Sequence, residues 1–150
     1  MAKFVYRMQN ILNIKQKLET QAKMTYSLEN QKYLEQQKIL QEYMVRRVGY
    51  EQHWKKLMQG NLNLQEVEHA RADVNAMKTI VRRQMVEVHK AEKELEDARN
   101  RLKIVMQERK VQEKLREKAF EEFKQELAEA ETKEIDELVS YTYNKGEQGE

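Results

Sequence analysis

The chain of 150 residues has no cysteine, no proline and only four glycines, two of which, Gly146 and Gly149, lie in its last stretch. Without cysteine there is no disulfide, no thiolate metal site and no cysteine nucleophile. Without proline nothing in the chain is obliged to break a helix. The three histidines, His53, His69 and His89, stand in no His-Glu-x-x-His or comparable metal spacing. No two glycines before Gly146 are spaced for a phosphate-binding loop. These absences predict no catalytic group, no cofactor and no metal. No stretch approaches the roughly 20 apolar residues of a membrane span, and Met1–Ala2–Lys3–Phe4 leads into mixed polar sequence rather than a signal peptide. The expectation is a soluble, cytoplasmic chain with no direct membrane insertion.

What is present in abundance is charge. Lys, Arg, Asp and Glu make up 36% of the chain and apolar residues 39%, a balance that favours long helices. The net charge of +2 is unevenly spread: Lys and Arg dominate as far as Lys118, whereas Asp and Glu dominate from Ala119 to Glu150. Such polarity can orient a molecule in a partner's field. The basic dyads Arg46–Arg47, Lys55–Lys56 and Arg82–Arg83 sit among acids and lack an aromatic stacking platform, so no nucleic-acid partner is expected.

Periodicity supplies the fold class. Val67, Val74, Val81, Val88, Leu95 and Leu102 recur every seventh residue, interleaved with Ala70, Met77, Gln84, Ala91, Ala98 and Val105. This strict 3-4 alternation is a coiled-coil seam, in which Gln84 trades stability for register. Phe4, Met8, Ile11, Lys15, Leu18 and Ala22 begin a second stripe. It reaches Tyr26 through an irregular step that reads as a stutter. It then resumes through Glu29, Tyr33, Gln36, Leu40, Tyr43, Arg47, Tyr50, Trp54 and Leu57. Between the stripes, Gly60–Asn61 marks a chain reversal. Asn63 fits an N-cap with Glu66 as its capping-box partner, and Leu62 and Val67 fit a hydrophobic staple.

The prediction is therefore an all-α, long two-helix antiparallel coiled-coil hairpin, forming one domain over residues 1–150. Its helix A spans about residues 3–59 and its turn about 60–63. Helix B, the longer, spans about 64–140, followed by a frayed tail over 141–150. A residue i of helix A should face one near roughly 122 − i, which brings Phe4 to Lys118. Helix B then continues through Phe120, Phe123, Leu127, Ile135 and Leu138 with no intramolecular cover, and an uncovered apolar stripe usually marks an interface. Arg109 and Arg116 stand where the seam calls for apolar residues, and Phe4, Tyr6 and Arg7 should lie close by. At the opposite end, the seam aromatics, Trp54 included, can fill the core against small residues such as Ala70. Alternatively, Trp54 near the turn can anchor a partner.

Several blocks resemble the flagellar FliJ family. They are Phe4–Val5–Tyr6–Arg7–Met8–Gln9–Asn10–Ile11–Leu12–Asn13–Ile14–Lys15, Met106–Gln107–Glu108–Arg109–Lys110, the run from Glu113 to Phe123, and Lys133–Glu134–Ile135–Asp136–Glu137–Leu138. Where relatives often carry Tyr-x-x-Phe just past the turn, this chain has Ala70–Arg71–Ala72–Asp73. The resemblance implies a non-enzymatic component of the flagellar type III protein export apparatus at its cytoplasmic face. It would act as a stalk that engages the hexameric export ATPase, promotes its activity, and links it to the membrane export gate and to flagellar substrate chaperones. On that reading Phe4, Tyr6, Arg7, Arg109, Arg116, Phe120, Phe123 and Leu127 form the ATPase-contacting end. Trp54, Leu57, Val67 and Val74 form the tip that meets the export gate. A different class of function, a general cytoplasmic coiled-coil scaffold or holdase-type chaperone, fits the same heptads.

Overall fold

The computed structural model describes residues 2–148. Two helices account for nearly all of them: α1, Gln9–Leu57, and α2, Leu64–Gln148. No strand occurs among the described residues, and none of their helices is long and apolar enough to cross a membrane. Helix α1 begins at Gln9 rather than near residue 3, because residues 2–6 have no regular structure and Arg7 and Met8 form a turn. Helix α2 continues through residues 141–148, while Gly149 and Glu150, the end of the expected frayed tail, lie outside the described residues.

The reversal is built by local chemistry. The last turn of α1 tightens as the Gln59 N–H donates to the Lys56 carbonyl at 3.3 Å. Gly60 then adopts φ +89°, a left-handed conformation in which a side chain would be strained. Asn63 is the N-cap of α2. Its Oδ1 accepts from the Gln65 N–H at 3.2 Å, and its carbonyl accepts the first helical bond from Val67 at 3.0 Å. The expected staple does not close: Leu62 is 59% exposed while Val67 turns toward the seam and is half-buried.

Two compact units divide the chain. In the unit spanning Thr20–Ile104, the α2 seam is as the heptads predict. Ala70, Val74, Met77, Val81, Gln84, Ala91, Leu95 and Ala98 are buried, and Val67, Val88 and Leu102 are half-buried. Facing them, Tyr26, Tyr33, Leu40, Tyr43, Trp54 and Leu57 of α1 are half-buried. The alanines of α2 sink fully, and the larger α1 side chains lie across them, the Trp54 indole N–H buried with them. Gln84 ties the two helices together. Its Nε2 donates to the Gln36 carbonyl at 3.0 Å and to Gln36 Oε1 at 2.7 Å, a directional pair that a slipped register would break. Glu29 and Arg47, also on the α1 seam, reach outward to Lys32 at 3.5 Å and Glu51 at 3.4 Å on their own helix.

The other unit, residues 1–19 with 105–150, corrects the expected phase of the first stripe. Met8 and Ile11 are 43% and 37% exposed, whereas Leu12 is 3% and Glu19 7% exposed. With Leu12 and Glu19 on the seam, the 3-4 alternation runs unbroken from Leu12 to Leu57, and the stutter disappears. It arose from assigning the inward positions to apolar Ile11 and Leu18 instead of to a glutamate.

Gly49 is a helical position with open space around its absent Cβ. Gly49→Ala should stabilise the protein by about 0.5–1 kcal/mol, since glycine's backbone freedom is lost on folding for no return. The check is an increase in the urea midpoint at unchanged slope; a decrease would mean that the backbone there departs from a regular helix.

Candidate functional site

The first cluster assembles where the chain's non-helical beginning meets α2, within the unit formed by residues 1–19 and 105–150. The Phe4 ring packs on Phe120 at 5.1 Å between centroids, edge to face at 66°, and on Phe123 at 5.4 Å. The Arg116 guanidinium lies 5.6 Å over the Phe4 ring and its Nε donates to Gln9 Oε1 at 3.0 Å. Lys124 stands 4.7 Å over Phe120. The Tyr6 hydroxyl reaches Gln112 Oε1 at 3.4 Å. Phe120 and Phe123 are therefore not beyond the reach of the first segment, as the pairing rule implied. That rule assumed a helix continuing to residue 3, whereas the chain leaves helical geometry before Gln9, and Phe4 meets Phe120 and Phe123 instead of Lys118.

One layer inward, Arg109 spans two carboxylates. It binds Glu19 through Nε and Nη2, and its Nη1 donates to Glu113 at 2.8 Å. The hydrogen bonds to Glu19, then to Glu113, raise its pKa above the ordinary arginine value, so it is charged at every accessible pH. Lys15 and Glu108 add a bridge at 2.8 Å. Glu19 is the residue that sequence reasoning missed here. Its only signal was a seam arginine, Arg109, which needs a partner of opposite sign. Of the other residues assigned to this end, Arg7 is exposed in the turn before α1 and Leu127 is 37% exposed on α2.

Beyond Phe123 the character changes. Every residue from Lys124 to Glu147 is exposed, including Ile135 at 58%, Leu138 at 61% and Tyr141 at 66%. Acidic side chains outnumber basic ones along this segment.

The tip, within the unit spanning Thr20–Ile104, differs from the expected contact set. Val74 is 1% exposed, among the most buried side chains described; it is a core residue and offers a partner no surface. Trp54, Leu57 and Val67 are half-buried, and the Trp54 indole N–H is buried without an acceptor. What the tip does present is Met58, Leu62 and Leu64, exposed by 53%, 59% and 75%. These were readable as apolar residues in a turn and off both seams. Beside them, His53, Leu57, Glu66, His69, Ala70 and Asp73 border a shallow hollow. Among the described residues no group of His, Asp or Glu is arranged to hold a metal ion. Along α1, Leu40, Met44, Val45 and Val48 with Gln37 and Gln41 line an apolar groove.

A family model described as "Flagellar FliJ protein" matches residues 4–148. No curated protein and no solved structure matches the chain significantly.

Proposed function

The chain belongs to the flagellar FliJ family and is thus a non-catalytic component of the flagellar export apparatus; from that membership we propose that it is a stalk with two working ends. The end bearing Phe4, Arg116, Phe123 and Leu127 engages the hexameric export ATPase and promotes its activity. The tip bearing Met58, Leu62 and Leu64 meets the cytoplasmic part of the membrane export gate. Handling of substrate chaperones belongs to the same assembly, at the cytoplasmic face of the apparatus.

The observation that carries this reading is the uncovered segment from Lys124 to Glu147. Most helical stability in proteins comes from packing of an apolar face, and this stretch of α2 keeps leucine, isoleucine and tyrosine exposed along it. A ring ATPase offers a lining for such a helix. The tip is assigned separately because its exposed leucines, Leu62 in the turn and Leu64 at the start of α2, sit on a defined backbone held by Gly60 and Asn63.

The two ends should be separable. Leu62→Ser with Leu64→Ser removes apolar surface without touching the seam. The variant should lose binding to a soluble gate fragment, measured by titration calorimetry, while stimulating ATP hydrolysis by the export ATPase as the parent does. Unchanged gate binding would return the tip contact to Trp54 and Leu57. Failure of the parent chain to co-purify with the ATPase or to alter its turnover would refute the stalk and leave a general scaffold.

A further inference from the structure

Residues 2–8 precede α1 and meet α2 through a few side chains. Residues 2–6 lack regular structure, so no helical backbone bonds stiffen them as they stiffen α1. The Gln9 N–H bond to the Tyr6 carbonyl, 3.1 Å, is local. Across to α2 the segment is joined by the Phe4 ring on Phe120 and Phe123, the Arg116 guanidinium over that ring, and the long Tyr6–Gln112 hydrogen bond at 3.4 Å. Around this plug the segment is open to water: Ala2, Lys3 and Arg7 are exposed, as is Val5 at 77%.

We propose that residues 2–8 form a releasable strap whose plug, Phe4, covers the Phe120–Phe123 surface in the free protein and is displaced when the ATPase end is occupied. The inference rests on the assignment of that end to the ATPase. The displacing group is an aromatic side chain of the ATPase ring, because the site is already shaped around one: two phenylalanine edges below and a guanidinium above. The covered surface is continuous with the uncovered stripe. Leu127 lies one helical turn beyond Phe123, so a partner advancing along α2 from its free end meets the strap next. Strap and partner then compete for one surface, and the affinity of the end is reduced by the fraction of molecules in which the strap is closed. Arg116 changes partners in the exchange, leaving the Phe4 face for the incoming ring.

The absence of cysteine from the chain makes the test clean. Lys3→Cys with Glu117→Cys places one thiol on the strap and one on the exposed side of α2 a turn before Phe120, while leaving every phenylalanine, Arg116 and Lys124 in place. A short flexible thiol cross-linker then holds the strap shut. The double variant without cross-linker should stimulate the ATPase as the parent does, and the cross-linked form should lose most of that stimulation at unchanged helix content. Full stimulation by the cross-linked form overturns the strap. If neither form of the variant nor the parent chain stimulates, the ATPase assignment fails, and the strap's displacement by the ring fails with it. A second measurement is independent of turnover. Deleting residues 2–8 should increase the fluorescence of an apolar dye bound to the otherwise folded chain, and no increase would mean that Phe4 covers nothing.

Discussion

Removing residues 124–150 should leave a folded hairpin that no longer stimulates the export ATPase. The cut falls just after Phe123, the last α2 side chain that Phe4 covers, so it takes away only helix whose described side chains are exposed. The buried seam, from Leu12 and Val105 to Ala70, is untouched. Circular dichroism should therefore lose the contribution of the deleted turns and little else, with the cooperative melt retained. Stimulation should nevertheless fall to background, because Leu127, Ile135 and Leu138 are the apolar surface that a ring can grip. The contacts needed are modest and loosely specific, as six similar subunits must accommodate one asymmetric helix. The comparison to make is ATP turnover at saturating full-length and truncated protein. Full stimulation by a truncated, helical chain would place the contact elsewhere. A loss of self-association with stimulation intact would mean that the exposed stripe pairs with a second copy.

The largest stability effect should come from Glu19. It is 7% exposed and binds Arg109, which is held in turn by Glu113. Glu19→Ala strips the arginine of its main partner inside the seam. With Arg109 still bound to Glu113 and partly open to water, the loss should lower the melting temperature by roughly 2–5 °C. Hydrogen exchange should locate the loss in residues 9–19 and 105–116, away from the apolar seam near Val74 and Val81. Glu19→Leu combined with Arg109→Leu should do the opposite. Both desolvation penalties vanish, the 3-4 apolar pattern is restored, and stability should equal or exceed that of the parent. If Glu19→Ala melts with the parent, the pair is only a surface bridge. If the double leucine variant is as unstable as Glu19→Ala, the site depends on the charges for its geometry.

That pair also explains where single-sequence reading went astray. A glutamate ordinarily lies on the outside of a helix, so apolarity alone turns Ile11 and Leu18 inward and demands a stutter to rejoin Tyr26. Glu19 can be inside only because Arg109, 90 positions away, lies across from it. The same limitation hid the strap. Nothing local announces that the chain is non-helical before Gln9, and that departure decides whether Phe4 meets Lys118 or Phe123. Val74 was named as a partner contact on the strength of its place near the turn, yet the opposing helix covers it completely.

By contrast, the seam of α2 from Val67 to Val105, the position of the reversal and the identity of the N-cap followed from the amino-acid order alone. Heptad spacing, a glycine able to take positive φ and an asparagine ahead of a helix act over a few residues each and need no partner to be recognised. Family membership was carried by the order of short blocks, which is likewise a property of the sequence. What only the tertiary structure decided was which side chains find a partner across the hairpin. It put Glu19 in the core, closed Phe4 over Phe120 and Phe123, buried Val74 and left Leu62 and Leu64 bare. Burial and charge pairing are properties of two surfaces meeting, and neither surface alone contains the other.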